Sequence, residues 1–114
     1  MTVLDLRPMD AAYVMIQAKL FRGLSDPSRL SILKSVMDGE RNVSQIVELT
    51  GLSQPNVSAH LACLRDCGLV ISRQEGRSVI YSVADEHLMH LLLSAQELLE
   101  RIAPQIQDCE RYNR

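Results

Sequence analysis

Aromatic residues are scarce in this 114-residue chain, which has three Tyr, one Phe and no Trp. Its interior must therefore be built from Leu, Ile, Val and Met, and the length suits one domain with one modest core. No apolar run approaches the ~18 residues of a membrane span. The start, Met1-Thr2-Val3-Leu4-Asp5, lacks the basic, apolar and small-residue order of a secretory leader. A cytoplasmic protein with no membrane partner is expected, and there three cysteines stay reduced rather than forming a disulfide framework. Also missing are a nucleotide-binding glycine loop, an HExxH pair and any obvious nucleophile constellation, so no enzyme is expected.

A basic excess is missing too, since the formal charge is −2. Its distribution is uneven: residues 1–84 carry nine basic and eight acidic side chains, whereas residues 85–114 carry three and six. Phosphate binding needs a local positive surface and not a positive total, so the first part remains open to nucleic acid.

Helix punctuation is abundant. Ala11, Val14, Met15, Ala18 and Phe21 mark an amphipathic first helix opened by Pro8 or Asp10. Asp26-Pro27 places a capping carboxylate before a proline at the first helical position, and Leu30, Ile32, Leu33, Val36 and Met37 follow up to Gly39. A short helix over about 44–50, capped by Ser44 or Asn42, should bury Ile46, Val47 and Leu49. Gly51 ends it, Leu52 makes the corner, and Ser53 caps the next helix, which carries Pro55 in its first turn and stops near Gly68. Two short helices around a tight glycine-containing turn form a helix-turn-helix, whose second helix conventionally enters the major groove.

Leu69–Arg73 and Ser78–Val83 are strand-like, and Glu75-Gly76-Arg77 is a hairpin turn between them. A hairpin in this place is a wing. Asp85 then caps a long helix whose stripe of Leu88, Leu91, Leu92, Ala95, Leu99 and Ile102, widened by Met89 and Leu93, exceeds what one small core needs. Such excess predicts a second subunit. Pro104 should break or kink this helix and leave a polar tail with Cys109.

The expected fold is mainly α with a small β-hairpin, a winged helix-turn-helix dimerising through its first and last helices. One domain should span 1–114, with the helix-turn-helix at about 43–67 and the wing at about 69–83. The dimerisation helices would lie at about 9–22 and 85–103, and the tail at 104–114.

In this order, "LSDPSRLSIL" (24–33), "LTGLSQPNVSAHLACLRDCGLV" (49–70) and "RQEGRSVIY" (73–81) resemble the ArsR/SmtB family of metal-responsive repressors over about residues 15–100. Cys63 and Cys67 with a C-terminal Cys109 are similar to its CmtR-like, cadmium- and lead-sensing subgroup, where the resemblance implies a third thiolate from the partner chain's tail. Two other family sites depart from the pattern. Asn42-Val43-Ser44 replaces a Cys-x-Cys, and Asp85 and His87 match half of a zinc site whose remaining positions are Leu98 and Arg101.

Four residues apart on a helix, Cys63 and Cys67 project from one face with Cβ atoms ~5–6 Å apart. That is wider than the ~3.5–4.5 Å of a disulfide, so a thiophilic ion bridges them more readily. Thiolates select soft metals: cadmium or lead first, with mercury, trivalent arsenic or zinc also accepted. The plain alternative is that both cysteines are small semi-buried hydrophobes. His60 could add a fourth ligand, although DNA contact or packing suits it better. His87 and His90 read as surface or interface side chains.

Ser53, Gln54, Asn56, Ser58 and His60 fall on the first two turns of the second helix, with Arg73, Gln74 and Arg77 on the wing. Amides pair with adenine edges, hydroxyls with bases or phosphates, and arginines with phosphates or the minor groove. The expectation is a homodimeric repressor on operator DNA that releases it when the three cysteines capture metal. A thiol-redox repressor and a metal-blind regulator on the same fold are the rivals.

Overall fold

The computed structural model describes residues 9–112. Helices α1 (Ala11–Leu24) and α2 (Pro27–Ser35) lead into a short strand, β1 (Arg41–Asn42). Helices α3 (Val43–Thr50) and α4 (Gln54–Asp66) follow, then strands β2 (Val70–Glu75) and β3 (Ser78–Val83). The long α5 (Glu86–Asp108) and a 3₁₀ turn (Glu110–Tyr112) complete the chain. The sheet is antiparallel in the order β1-β3-β2, with Val70 opposite Val83, Glu75 opposite Ser78 and Arg41 opposite Tyr81. This is the winged helix-turn-helix expected, with one strand more than the hairpin.

Local chemistry accounts for the boundaries. The Asp26 carboxylate accepts the Arg29 N–H at 2.9 Å, and Pro27 opens α2 without needing a donor of its own. Asn42 and Gln45 form a reciprocal capping box, each side chain bonded to the other's backbone N–H at 2.8 Å. Asn42 is thus the cap of α3, and Ser44 lies inside the helix. Gly51 ends α3 at φ 74°, a conformation that a side chain would strain, and this tight exit aims α4. Asp10 stands at the N-cap position of α1, while Pro8 lies outside the described residues.

The core gathers Ile32, Leu33, Ile46, Val57, Leu61, Leu64 and Val70, all 2% exposed or less, with Leu24, Val36 and Leu88 at its margin. Two sequence expectations need correction. Leu49, expected inside, is 59% exposed, because α3 turns Val43, Ile46 and Val47 toward the core. The α1 stripe of Val14, Met15 and Phe21 faces outward, in keeping with a helix expected to pair with a second subunit, and α1 meets the core through Leu24 and Leu20. Pro104 does not end α5, which continues to Asp108. Proline removes the N–H that would reach the Glu100 carbonyl, but Glu100 is exposed, so water can satisfy that oxygen. The tail expected from residue 104 is therefore helical as far as Asp108.

Val14, Met15, Ile16 and Phe21 on α1, with Leu93, Leu98 and Leu99 on α5, are each more than 40% exposed. Exposed apolar side chains grouped along a helix in this way mark an interaction face. No helix among the described residues is long and apolar enough to cross a membrane.

Candidate functional site

The DNA-facing expectation rests on α4. Its N-cap Ser53 accepts the Asn56 N–H at 3.3 Å, so this hydroxyl is engaged in starting the helix. Val57, Leu61 and Leu64 are buried against the core, which leaves Gln54, Asn56 and Ser58 exposed on the opposite side. His60 is half-buried on the flank. The first two turns of α4 thus present an amide-rich edge on a rigid helix, the arrangement that direct reading of a major groove requires.

On the wing the three expected contacts separate. The Arg73 guanidinium is held by Glu40 and by Glu75, the latter at 2.7 Å. Its first ion pair ties the wing to the segment before β1, so its charge is already answered within the chain. Gln74 donates to the Gly76 carbonyl at 2.9 Å and closes the wing turn, where Gly76 takes φ 62°. Arg77 is exposed at that turn and makes no ion pair among the described residues. Together with Asn42, Ser44 and Tyr81 it lines a shallow cavity of about 270 Å³ between the start of α3 and the wing. Sequence reasoning had no means of ranking Arg77 above Arg73, because Glu40 lies 33 residues from its partner.

The thiols lie at the other end of α4. Cys63 is in the last turn and Cys67 is the C-cap, its N–H bonded to the Cys63 carbonyl at 3.0 Å. Both are exposed in the single chain, where the plain alternative expected small semi-buried hydrophobes. Both side chains line the same face of the structure beside α1 and α2. They share a shallow cavity of about 210 Å³ with Lys19 and Arg22 of α1 and Arg29 of α2. Arg29 also donates to the Gly23 carbonyl at 2.9 Å, which fastens the end of α1 beside the thiols. Partial shielding from water pushes the Cys67 thiol above its ordinary pKa; Cys63 and Asp66 add to the rise, and Arg29 opposes it. These three cations come from other helices, and no spacing rule in the sequence could have found them.

Cys109 caps the far end of α5 and is not in that cavity. Among the described residues no three His, Cys, Asp or Glu side chains are grouped to hold a metal ion. The half-site on α5 is a local cap: Asp85 accepts the His87 N–H at 2.7 Å and meets its ring Nδ1 at 2.9 Å. These bonds to His87 hold the Asp85 carboxyl below its ordinary range. One chain therefore offers a two-thiol site open on one side.

Residues 26–72 match the profile of the bacterial regulatory proteins of the arsR family. The chain is 43% identical over 94 residues to a probable mercury resistance operon repressor of Streptomyces lividans, covering 82% of this chain and 75% of that one. It is 48% identical over 75 residues to the transcriptional regulator CmtR of Mycobacterium tuberculosis, covering 66% of this chain and 64% of that one. In structure it is similar to a homodimeric winged helix-turn-helix DNA-binding domain of Mycobacterium bovis, with a TM-score of 0.74 and 30% identity. That match covers 89% of this chain and 94% of the other. With this fold, this α4 and these relatives, the chain is a winged helix-turn-helix DNA-binding protein and belongs to the arsR family of bacterial regulators.

Proposed function

We propose that this protein is a metal-responsive transcriptional repressor that works in the cytoplasm as a homodimer. In the metal-free state it binds operator DNA, and it releases that DNA when a thiophilic ion of the cadmium or lead type is captured. The observation that carries this reading is the pair of exposed thiols that share one cavity at the C-terminal end of α4, the helix whose other end would face DNA. Cys63 and Cys67 would hold the ion, and Cys109 of a second copy would close the open side of the site. The named relatives, a mercury operon repressor and CmtR, support a soft metal as the inducer. The outward apolar faces of α1 and α5 supply the surface for a second copy, as in the homodimeric structural relative.

Coupling follows from placing two functions on one rigid rod. Helix α4 runs 13 residues from Gln54 to Asp66, about 20 Å, with Cys67 as its C-cap. Drawing the thiol end toward a tail ligand tilts the amide-bearing end out of register with the bases. For this to release DNA, the ion must bind the DNA-incompetent arrangement more tightly than the competent one. The direct test adds cadmium to the reduced dimer while thiolate charge-transfer absorption and operator binding are recorded together. Loss of DNA in step with metal occupancy is expected. Unchanged operator affinity at full occupancy would end the coupling.

Thiol protonation sets a pH dependence of known sign. A Cys67 thiol with a raised pKa is protonated at neutral pH, so an ion entering the site must displace that proton. Metal affinity should therefore fall as pH falls, by about tenfold per pH unit for each proton displaced. Cadmium titrations at pH 6, 7 and 8 check this, and a flat profile would argue against thiolate ligation. On the DNA side, Arg77→Ala should weaken operator binding and lower the slope of log affinity against log salt by roughly one, as for one lost phosphate contact. Arg73→Ala, whose charge is answered by Glu40 and Glu75, should change that slope less.

A further inference from the structure

The cavity that Cys63 and Cys67 share is lined by Lys19 and Arg22 of α1 and by Arg29 of α2, and by no carboxylate. None of these three cations makes an ion pair among the described residues. The acids nearby do not answer them. Asp26 caps α2 through the Arg29 N–H at 2.9 Å, and Asp66 adjoins Cys67 in sequence but is not part of the lining. Lys19, Arg22 and Arg29 thus form a cationic collar around two exposed thiols. Such a collar lowers the local concentration of free cations and raises that of anions. A hydrated metal dication approaching these sulfurs meets charge of its own sign.

We infer that the collar receives the metal as an anionic complex with a small, carboxylate-bearing thiol, and that Cys63 and Cys67 take the ion from that complex by ligand exchange. The inference rests on the thiol-metal reading proposed above. The carrier is a thiol because, where thiols stay reduced, a soft ion is held by small thiols in preference to water. It is anionic because Lys19, Arg22 and Arg29 favour negative charge at the cavity, and a carboxylate matches the planar fork of an arginine. It is small because the cavity is shallow and only about 210 Å³ in volume. Two thiols lining one cavity allow exchange in two steps, each cysteine displacing one carrier sulfur. In each step one carrier sulfur–metal bond breaks and one Sγ–metal bond forms. The thiol proton of the cysteine passes to the departing carrier, and nothing is oxidised or reduced. Lys19 and Arg22 are exposed, so their attraction acts on the rate of arrival and is screened by salt.

Carriers that differ in charge test the delivery route on the reduced, full-length protein. Cadmium is supplied as its complex with mercaptopropionate (anionic), mercaptoethanol (neutral) or cysteamine (cationic). Uptake is followed by stopped-flow circular dichroism in the thiolate-to-metal band, where these achiral carriers give no signal and only protein-bound cadmium does. In Lys19→Gln/Arg22→Gln at low salt, uptake from the anionic complex should fall about tenfold, while uptake from the neutral complex changes by less than about twofold. Uptake from the cationic complex should rise, and added salt should erase these differences. The charge-conserving Lys19→Arg/Arg22→Lys should keep the wild-type rates. Arg29 is left in place because it fastens α1 through the Gly23 carbonyl. Far-ultraviolet circular dichroism and operator binding of each metal-free variant confirm that folded proteins are being compared. Equal slowing with all three carriers, or no slowing with the anionic one, overturns the delivery route and leaves the thiol-metal reading standing. Failure to take up cadmium from any carrier overturns both.

Discussion

The variant Cys67→Ser is expected to lose cadmium-dependent release of operator DNA, with cadmium affinity reduced by roughly a hundredfold or more. One of only two sulfurs on α4 is replaced by a hydroxyl that stays protonated at neutral pH and is a poor ligand for soft ions. The fold should tolerate the change, since Cys67 is exposed and contributes its backbone N–H, not its sulfur, to the cap of α4. Loss of response with the helical circular dichroism intact therefore reports on the ligand. Cys63→Ser should behave alike, because the two thiols face the same cavity. Absorption titration of the thiolate-to-metal band, with fluorescence anisotropy of labelled operator, measures both losses. A Cys67→Ser protein that responds like the wild type would remove α4 from the sensing site.

The largest effect on stability is expected from Leu61→Ala. Leu61 is 0% exposed, in the cluster that joins α2, α3, α4 and β2 through Ile32, Ile46, Val57 and Val70. Truncation there loses both transfer free energy and packing, at a cost of about 2–5 kcal/mol. A domain of this size has only about 5–15 kcal/mol in total, so thermal unfolding should move down by roughly 10–20 °C. Leu49→Ala, at a leucine that is 59% exposed, should change stability by less than about 0.5 kcal/mol. Thermal melts of the two variants, at equal protomer concentration, separate the residue that positions α4 from one that merely looks apolar.

Local rules explain why so much of the fold could be read from residue order. Asp26-Pro27, the Asn42–Gln45 box and Ser53 act within four residues of the helix they start, and Gly51 and Gly76 act on their own backbone angles. Features beyond that range were not legible. The two-residue β1 exists because Arg41 and Asn42 pair with Tyr81 and Ile80, nearly forty residues away. Leu49 looked like part of a buried stripe because a helix of 8 residues fits several apolar faces equally well. Proline rules argued against α5 beyond residue 104, but an exposed carbonyl can bond water, and the helix continues.

The candidate site divides along the same line. A spacing of four was enough to place Cys63 and Cys67 on a shared face, and in the structure both line one cavity. The collar of Lys19, Arg22 and Arg29 required three-dimensional packing of α1 and α2 beside α4. So did the pairing of Arg73 with Glu40, which leaves Arg77 as the wing cation without an ion pair among the described residues. Among the described residues of one chain Cys109 does not join the other two, so the third sulfur of the proposed site would have to come from a second copy.

X-ray absorption at the metal edge of the cadmium-loaded dimer tests the central claim most directly, by counting sulfur neighbours. Three are predicted for the wild type and two for Cys109→Ser. A shell dominated by oxygen or nitrogen, or an unchanged sulfur count in Cys109→Ser, would contradict it.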